Sequence, residues 1–196
     1  MASILLNNAA AVYGDAALSA MSIVGKIFMM IFSVILGFGQ GYQPVAGYNY
    51  SAEKFKRVRS AALFMLLVSH ISVIVLGAVA AIFAPEIIAL FIKDDLEVIK
   101  IGTVALRTQC IALQFIPLGV LCNMTYQSIG KAWTSSILSS LRQGVFFIPL
   151  ILTLPNWLGI FGVEITQAAA DILNFFVAIP FFILFLKDLK KQSSIN

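Results

Sequence analysis

Five stretches of this chain are each apolar over more residues than one element of a water-exposed fold carries. They run from about 16–44, 58–83, 98–126, 132–154 and 159–186. Each exceeds the ~20 residues that a helix needs to cross a hydrocarbon core of about 30 Å. In lipid a spanning segment must satisfy its own backbone polar groups, which leaves helices and closed barrels. Barrel strands show as alternating runs of about ten residues, and no such alternation occurs here. The expected fold is an all-α polytopic membrane bundle with five full transmembrane helices. Composition agrees: 60% of the residues are hydrophobic and 11% are charged, against about 25% charged in a soluble domain.

A sixth apolar segment, residues 1–13, reads "MASILLNNAAAVY". Thirteen helical residues rise only about 20 Å, too little to cross alone. It is expected to be re-entrant or the truncated end of a helix in a longer chain. The expected joints are Gly14-Asp15, Tyr48-Asn49-Tyr50-Ser51, Lys93-Asp94-Asp95, Gly130-Lys131 and Pro155-Asn156-Trp157. They are short and rich in turn residues, so consecutive helices should be antiparallel neighbours.

Alternation of the five spans sorts the charges. Lys54, Lys56, Arg57 and Arg59 fall on one side with Lys131 and with Lys187, Lys190 and Lys191. Asp15, Glu86, Lys93, Asp94, Asp95, Glu97 and Lys100 fall on the other. Excess Lys and Arg marks the cytoplasmic side, so a cytoplasmic C-terminus in a plasma (inner) membrane is expected. The basic run at 54–59 is then a topology anchor, and no nucleic-acid partner is expected.

Several chemistries lack their residues. Cys110 and Cys122 lie twelve residues apart on one run, roughly 18 Å along a helix and beyond disulfide reach. There is no CxxC, HExxH, nucleophile elbow or metal-type carboxylate cluster, so no enzyme, metal or cofactor is expected. Gly37, Gly39 and Gly41 neither follow a strand nor precede a Walker lysine, so they are not a nucleotide loop. Gly37 and Gly41 have the spacing of close helix contacts. With Pro44 and Pro117 they are the candidate packing and hinge positions; Pro149 and Pro180 interrupt later spans.

Polar residues inside the spans recur at helical spacing. One stripe holds Asp15, Ser19, Ser22, Lys26, Met29, Ser33, Gly37 and Gln40. A second holds Thr103, Arg107, Cys110, Gln114 and Pro117. A third holds Glu164, Gln167, Asp171 and Asn174. Ionisable groups in membrane helices face the bundle interior or a water-filled cavity. Lys26, Arg107 and Asp171 lie at similar depth, roughly 14–18 Å from the outer helix ends. The expected cavity residues are Asp171, Glu164, Lys26, Arg107, Gln114, Gln167 and Asn174. Asp171 or Glu164 is expected to pair with Arg107 or Lys26, either to lock helices or to handle ion and substrate. Glu164 alone leans toward an outer vestibule. Arg142 either snorkels or pairs, and His70 either relays protons or bonds a neighbour.

The stretch "GQGYQPVAGYNYSAEKFKRV", residues 39–58, resembles the multidrug and toxic compound extrusion family. Members carry a Gln-Gly-x-Gln-Pro segment, then Tyr-Asn-Tyr-Gly-Ala, then a basic joint. "YQSIGKAW" and "ITQAAADIL" are weaker echoes in the same order. Ser51 replaces the family's usual Gly, and Ala168 a Pro that often precedes the sixth-span Asp. The resemblance implies half of a twelve-helix, two-lobe antiporter, with the N-terminal lobe as partner. It implies export of cationic or amphipathic small molecules by alternating access, driven by H+ or Na+. Asp171 carries over as a cavity acid and not as the coupling residue. Two other readings stand beside it: a lipid-linked sugar flippase of similar fold, with a strongly cationic cavity, and a non-transporting membrane subunit, with polar stripes paired and dry.

Overall fold

The computed structural model of the chain describes residues 2–92 and 95–193. Lys93 and Asp94 of the expected outer joint lie outside the described residues, as does Met1 of the first segment. Helices are α1 (Ala2–Ala11), α2 (Asp15–Ser51), α3 (Phe55–Ile82), α4 (Ala84–Ala89), α5 (Leu96–Ala112), α6 (Ile116–Ser128), α7 (Ala132–Ser140), α8 (Phe147–Leu158) and α9 (Ile160–Ser193). A 3-10 turn, Leu113–Phe115, joins α5 to α6, and a π turn, Leu141–Phe146, joins α7 to α8. Five units are long and apolar enough to cross a membrane: α2, α3, α5–α6, α7–α8 and α9. The shortest has 27 residues, which at 1.5 Å each is about 40 Å.

The α5–α6 unit is the centre of the bundle. Its most apolar window is 61% buried, against 17–33% for the other four. It packs on α2, α3 and α9, while α8 closes against α9 and α1 against α2 and α8. The buried face of α2 shows why: Ala20, Val24, Ile27, Ile31, Ile35, Gly39, Tyr42, Ala46 and Asn49 recur every three or four residues, the period of one helix face. At the start of α5, Asp95 accepts from the backbone N–H of Glu97 at 3.0 Å and Val98 at 3.1 Å. Such an N-cap contributes about 1 kcal/mol.

Close packing corrects the glycine expectation. Gly37 and Gly41 are exposed and meet nothing within 4 Å of an added Cβ. The seam between α2 and α6 uses Gly39 and Gly47 instead. A Cβ on Gly39 would sit 2.9 Å from the Met124 sulfur, and one on Gly47 3.2 Å from the Ser128 carbonyl. Between them Tyr42 and Thr125 share a hydroxyl hydrogen bond of 3.0 Å, and Gln43 Nε2 donates to Gln127 Oε1. Two residues along a helix turn about 200°, which moves the seam to the face opposite Gly37 and Gly41.

Three boundaries also differ from the sequence reading. The helix continues past Pro44 to Ser51, so the turn falls at 52–54 and not at Tyr48–Ser51. Likewise α8 runs through Pro155, Asn156 and Trp157, and the turn is at Gly159, φ 62°. Proline removes one N–H but leaves the rest of the ladder intact, so neither residue stops its helix. The joint before α5 contains a short helix, α4, with Pro85 in its first turn. Pro117 is buried just after the 3-10 turn, in the first turn of α6. His70 bonds locally, with Nδ1 2.9 Å from the Leu66 carbonyl.

Of the glycines, Gly162 has the closest approach: an added Cβ would lie 2.3 Å from the Leu154 carbonyl. Gly162→Ala should therefore lower the stability of the α8–α9 hairpin by about 1–3 kcal/mol, as overpacking does. Gly37→Ala should be neutral or stabilise by up to about 1 kcal/mol through helix propensity. Thermal melting in detergent compares the two; an equal loss from both substitutions would contradict the packing described here.

Candidate functional site

The third polar stripe forms the site. Glu164, Asp171 and Asn174 are buried on α9 and Gln167 is half-buried between them, all on one face. Asp171 sits at the focus of three donors. Arg142 Nε donates to Oδ1 at 2.7 Å, Gln109 Nε2 to Oδ2 at 3.1 Å and Gln167 Nε2 to Oδ1 at 3.4 Å. The Asp171 side chain is 0% exposed and that of Arg142 14%. A buried carboxylate needs such partners, because an unpaired charge in an apolar interior is costly.

Two local features place the guanidinium. Arg142 lies in the π turn of the fifth span, and such turns shift side chains around the helix and recur at functional sites. Phe28 and Phe32 on α2 stack with centroids 5.6 Å apart and planes 10° apart. The guanidinium carbon lies 4.7 Å from the Phe32 centroid and 5.9 Å from that of Phe28. Ring faces attract a cation within about 6 Å, so Arg142 is held by a carboxylate and by the aromatic pair.

This assembly divides two cavities. The smaller, about 230 Å³, is lined by Phe32, Asn123, Arg142, Asp171 and Asn174 among others. The larger, about 630 Å³, is lined by Lys26, Phe28, Phe32, Gln109, Arg142, Glu164 and Gln167 among others. Phe32, Arg142 and Gln143 line both, so the clamped arginine is part of the shared wall. In the smaller cavity Asn174 Oδ1 is buried without a hydrogen-bond partner. Its Nδ2 would lie 2.6 Å from a Cβ on Gly119, so that glycine is what admits the amide. Asn123 donates to the Ser135 carbonyl at 2.9 Å and to Ser139 Oγ, bridging α6 to α7.

The expected pairing is overturned. Asp171 pairs with Arg142, and neither Lys26 nor Arg107 contacts it. Arg107 and Gln114 lie outside both cavities. Arg107 Nε donates to the Ala81 carbonyl at 3.1 Å and Gln114 Nε2 to the Val73 carbonyl at 3.2 Å. The second stripe thus joins α5 and its 3-10 turn to α3, where its donors satisfy backbone carbonyls. Glu164 is 5% exposed and lines the larger cavity. Lys26 lines the larger cavity from the exposed stripe of α2, with Ser33, Gly37 and Gln40 exposed on the same helix. Sequence periodicity misses Gln109, which lies two residues from Arg107 and points across the α5 helix to α9. It also misses the aromatic clamp, because Phe28 and Phe32 read as ordinary apolar positions. The charge of Arg142 within an apolar span was the available signal. Among the described residues no cluster has the composition of a metal site.

Comparison with known proteins places this architecture. The family model MatE matches residues 1–153. The multidrug export protein MepA of Staphylococcus aureus (strain NCTC 8325 / PS 47) is 24% identical over 160 residues, 82% of this chain and 35% of that protein. MepA of strain MSSA476 is 25% identical over 162 residues, with the same shares covered. The chain thus spans about a third of the length of these curated relatives. Among solved structures, the Vibrio cholerae MATE transporter VcmN in the bent form superposes with a TM-score of 0.87 at 19% identity, over 97% of this chain and 43% of that one. A MOP superfamily transporter from Pyrococcus furiosus Vc1 (DSM3638) superposes with a TM-score of 0.88 at 23% identity, over 96% of this chain and 43% of that one. The fold is therefore half of the fold of those transporters, and the chain belongs to the MatE, or multidrug and toxic compound extrusion, family.

Proposed function

We propose that the chain forms one lobe of a cation-coupled antiporter that exports cationic or amphipathic small molecules by alternating access. The observation that carries this reading is the buried Arg142–Asp171 pair in the wall between two cavities. An ionised Asp171 holds Arg142 by a charge-assisted hydrogen bond, the stronger kind. A proton or Na+ at the carboxylate competes with Arg142 for Oδ1. The guanidinium then rests on Phe32 and Phe28 alone, and the wall is free to rearrange. Two states of that wall, biased by one cation, are what coupling between sites requires.

The larger cavity suits the proposed cargo. Met21 and Met29 adapt to varied apolar shapes, and Glu164 supplies a carboxylate for a cation. The exposed polar stripe of α2 is the face on which an N-terminal lobe would close the cavity. The excess of Lys and Arg at one end of the bundle supports a cytoplasmic C-terminus. A sugar-diphosphate flippase fits less well: Arg142 is engaged by Asp171, Lys26 shares its cavity with Glu164, and Arg107 is turned away onto α3. A purely structural subunit would have its polar stripes paired and dry, whereas Asn174 Oδ1 is unpartnered beside a cavity.

Two experiments follow. In the complete transporter, Asp171→Asn should abolish dye efflux while leaving membrane expression intact; full efflux from a well-expressed variant would sink the reading. Arg142→Met should leave Asp171 buried without its cation and lower stability by about 3–5 kcal/mol, and adding Asp171→Leu should restore most of that loss. Detergent melting of the single and double variants measures the recovery, and a double variant no more stable than the single would rule out a mutually compensating pair.

A further inference from the structure

A third cavity lies far along α3 and α9 from the site above and shares no residue with it. It measures about 280 Å³ and is lined by Phe55, Lys56, Arg59, Leu189, Lys190 and Ser193. Phe55 and Leu189 are its buried apolar floor, while Lys56, Arg59 and Lys190 are exposed around it. No side chain caps the N-terminus of α3, where Lys54 stands at the cap position. A helix N-terminus carries partial positive charge and free N–H groups, which adds to the three cations. Among the described residues the acids at this end are Glu53 and Asp188. Asp188 is engaged by Lys131 at 3.5 Å, and Lys54, Arg57, Lys187 and Lys191 keep the end strongly basic.

The cations also terminate two apolar stripes. On α3, Leu63, Leu67, Ile71 and Ile74 are exposed and follow Lys56 and Arg59 at three- and four-residue steps. On α9, Phe176 and Ile183, seven residues or about two turns apart, are exposed, and Lys187 and Lys190 follow at steps of four and three. The two helices pack on each other, so the furrow between them is positive at its end, and the spans that lead to it carry exposed apolar residues. A ligand that matches both parts has acyl chains and one phosphate.

We propose that the furrow between α3 and α9 is a binding site for an anionic glycerophospholipid, with its phosphate at Lys56, Arg59 and Lys190 and its acyl chains along the exposed apolar stripes. Basic pockets between membrane helices hold lipid head groups in this way. The site is separate from the transport cavity, so its test does not depend on the transport reading.

The test uses the complete transporter in nanodiscs, with phosphatidylglycerol compared with phosphatidylcholine. Native mass spectrometry should show preferential retention of phosphatidylglycerol, and a photoactivatable phosphatidylglycerol should crosslink to α3 and α9. Lys190→Gln, on an exposed helix end, should weaken retention about fivefold, and the triple variant Lys56→Gln/Arg59→Gln/Lys190→Gln should remove the preference. Lys100→Gln, on an exposed turn of α5 outside the furrow, should leave it unchanged. Wild-type preference in Lys190→Gln and the triple variant would overturn the proposal. So would crosslinks confined to other helices, or displacement of the lipid by inorganic phosphate at equal concentration, which would make this a site for a free anion.

Discussion

A charged aspartate inside an apolar bundle must be compensated where it sits, and much of the site follows from how that is done. Asp171 is surrounded by Arg142, Gln109 and Gln167 from three different spans. Removing a carboxylate from water costs several kcal/mol, which only good geometry and full hydrogen bonding recover. The π turn, the stacked phenylalanines and the inward face of α9 all bear on that one ion pair. Arg142 also lines both cavities, so the polar contact that compensates Asp171 is the one that the proposed coupling cation would disturb.

The rest of the lobe is organised by close approach. Lipid tails are as apolar as the side chains facing them, so helix association in a membrane depends on packing and on polar contacts between helices. Gly39, Gly47 and Gly162 let backbones and side chains meet where a methyl group would collide. Arg107 and Gln114 add hydrogen bonds from the α5 segment to carbonyls of α3. These contacts hold α5–α6 at the centre and leave the polar stripe of α2 exposed.

Much of this was legible in the sequence, in physical terms that differ by level. The five spans are set by length and hydropathy, which report directly on the solvent around a helix. The stripe of Glu164, Gln167, Asp171 and Asn174 was visible because an unbroken helix preserves its period over many residues. Pairings across helices were not. Which cation meets Asp171 depends on a π turn at Leu141–Phe146 and on helix rotations that no local pattern encodes. The same limit explains the glycines: both Gly37/Gly41 and Gly39/Gly47 have plausible spacing, and only the rotation of α2 against α6 selects the second pair. Proline at 44 and 155 read as a boundary, yet long membrane helices accommodate it.

On the function proposed above, Asp171 is the carboxylate that takes up the coupling cation, a role beyond the cavity acid that the resemblance implies. Isotope-edited infrared difference spectroscopy on the complete transporter measures this directly, by recording carboxylate and carboxylic-acid bands across an acid jump and across Na+ addition. A carboxylate band should be lost or displaced under one of the two conditions and be missing from Asp171→Asn. Spectra in which the variant and the parent change identically under both conditions would contradict it, leaving the Arg142–Asp171 pair as a structural clamp alone.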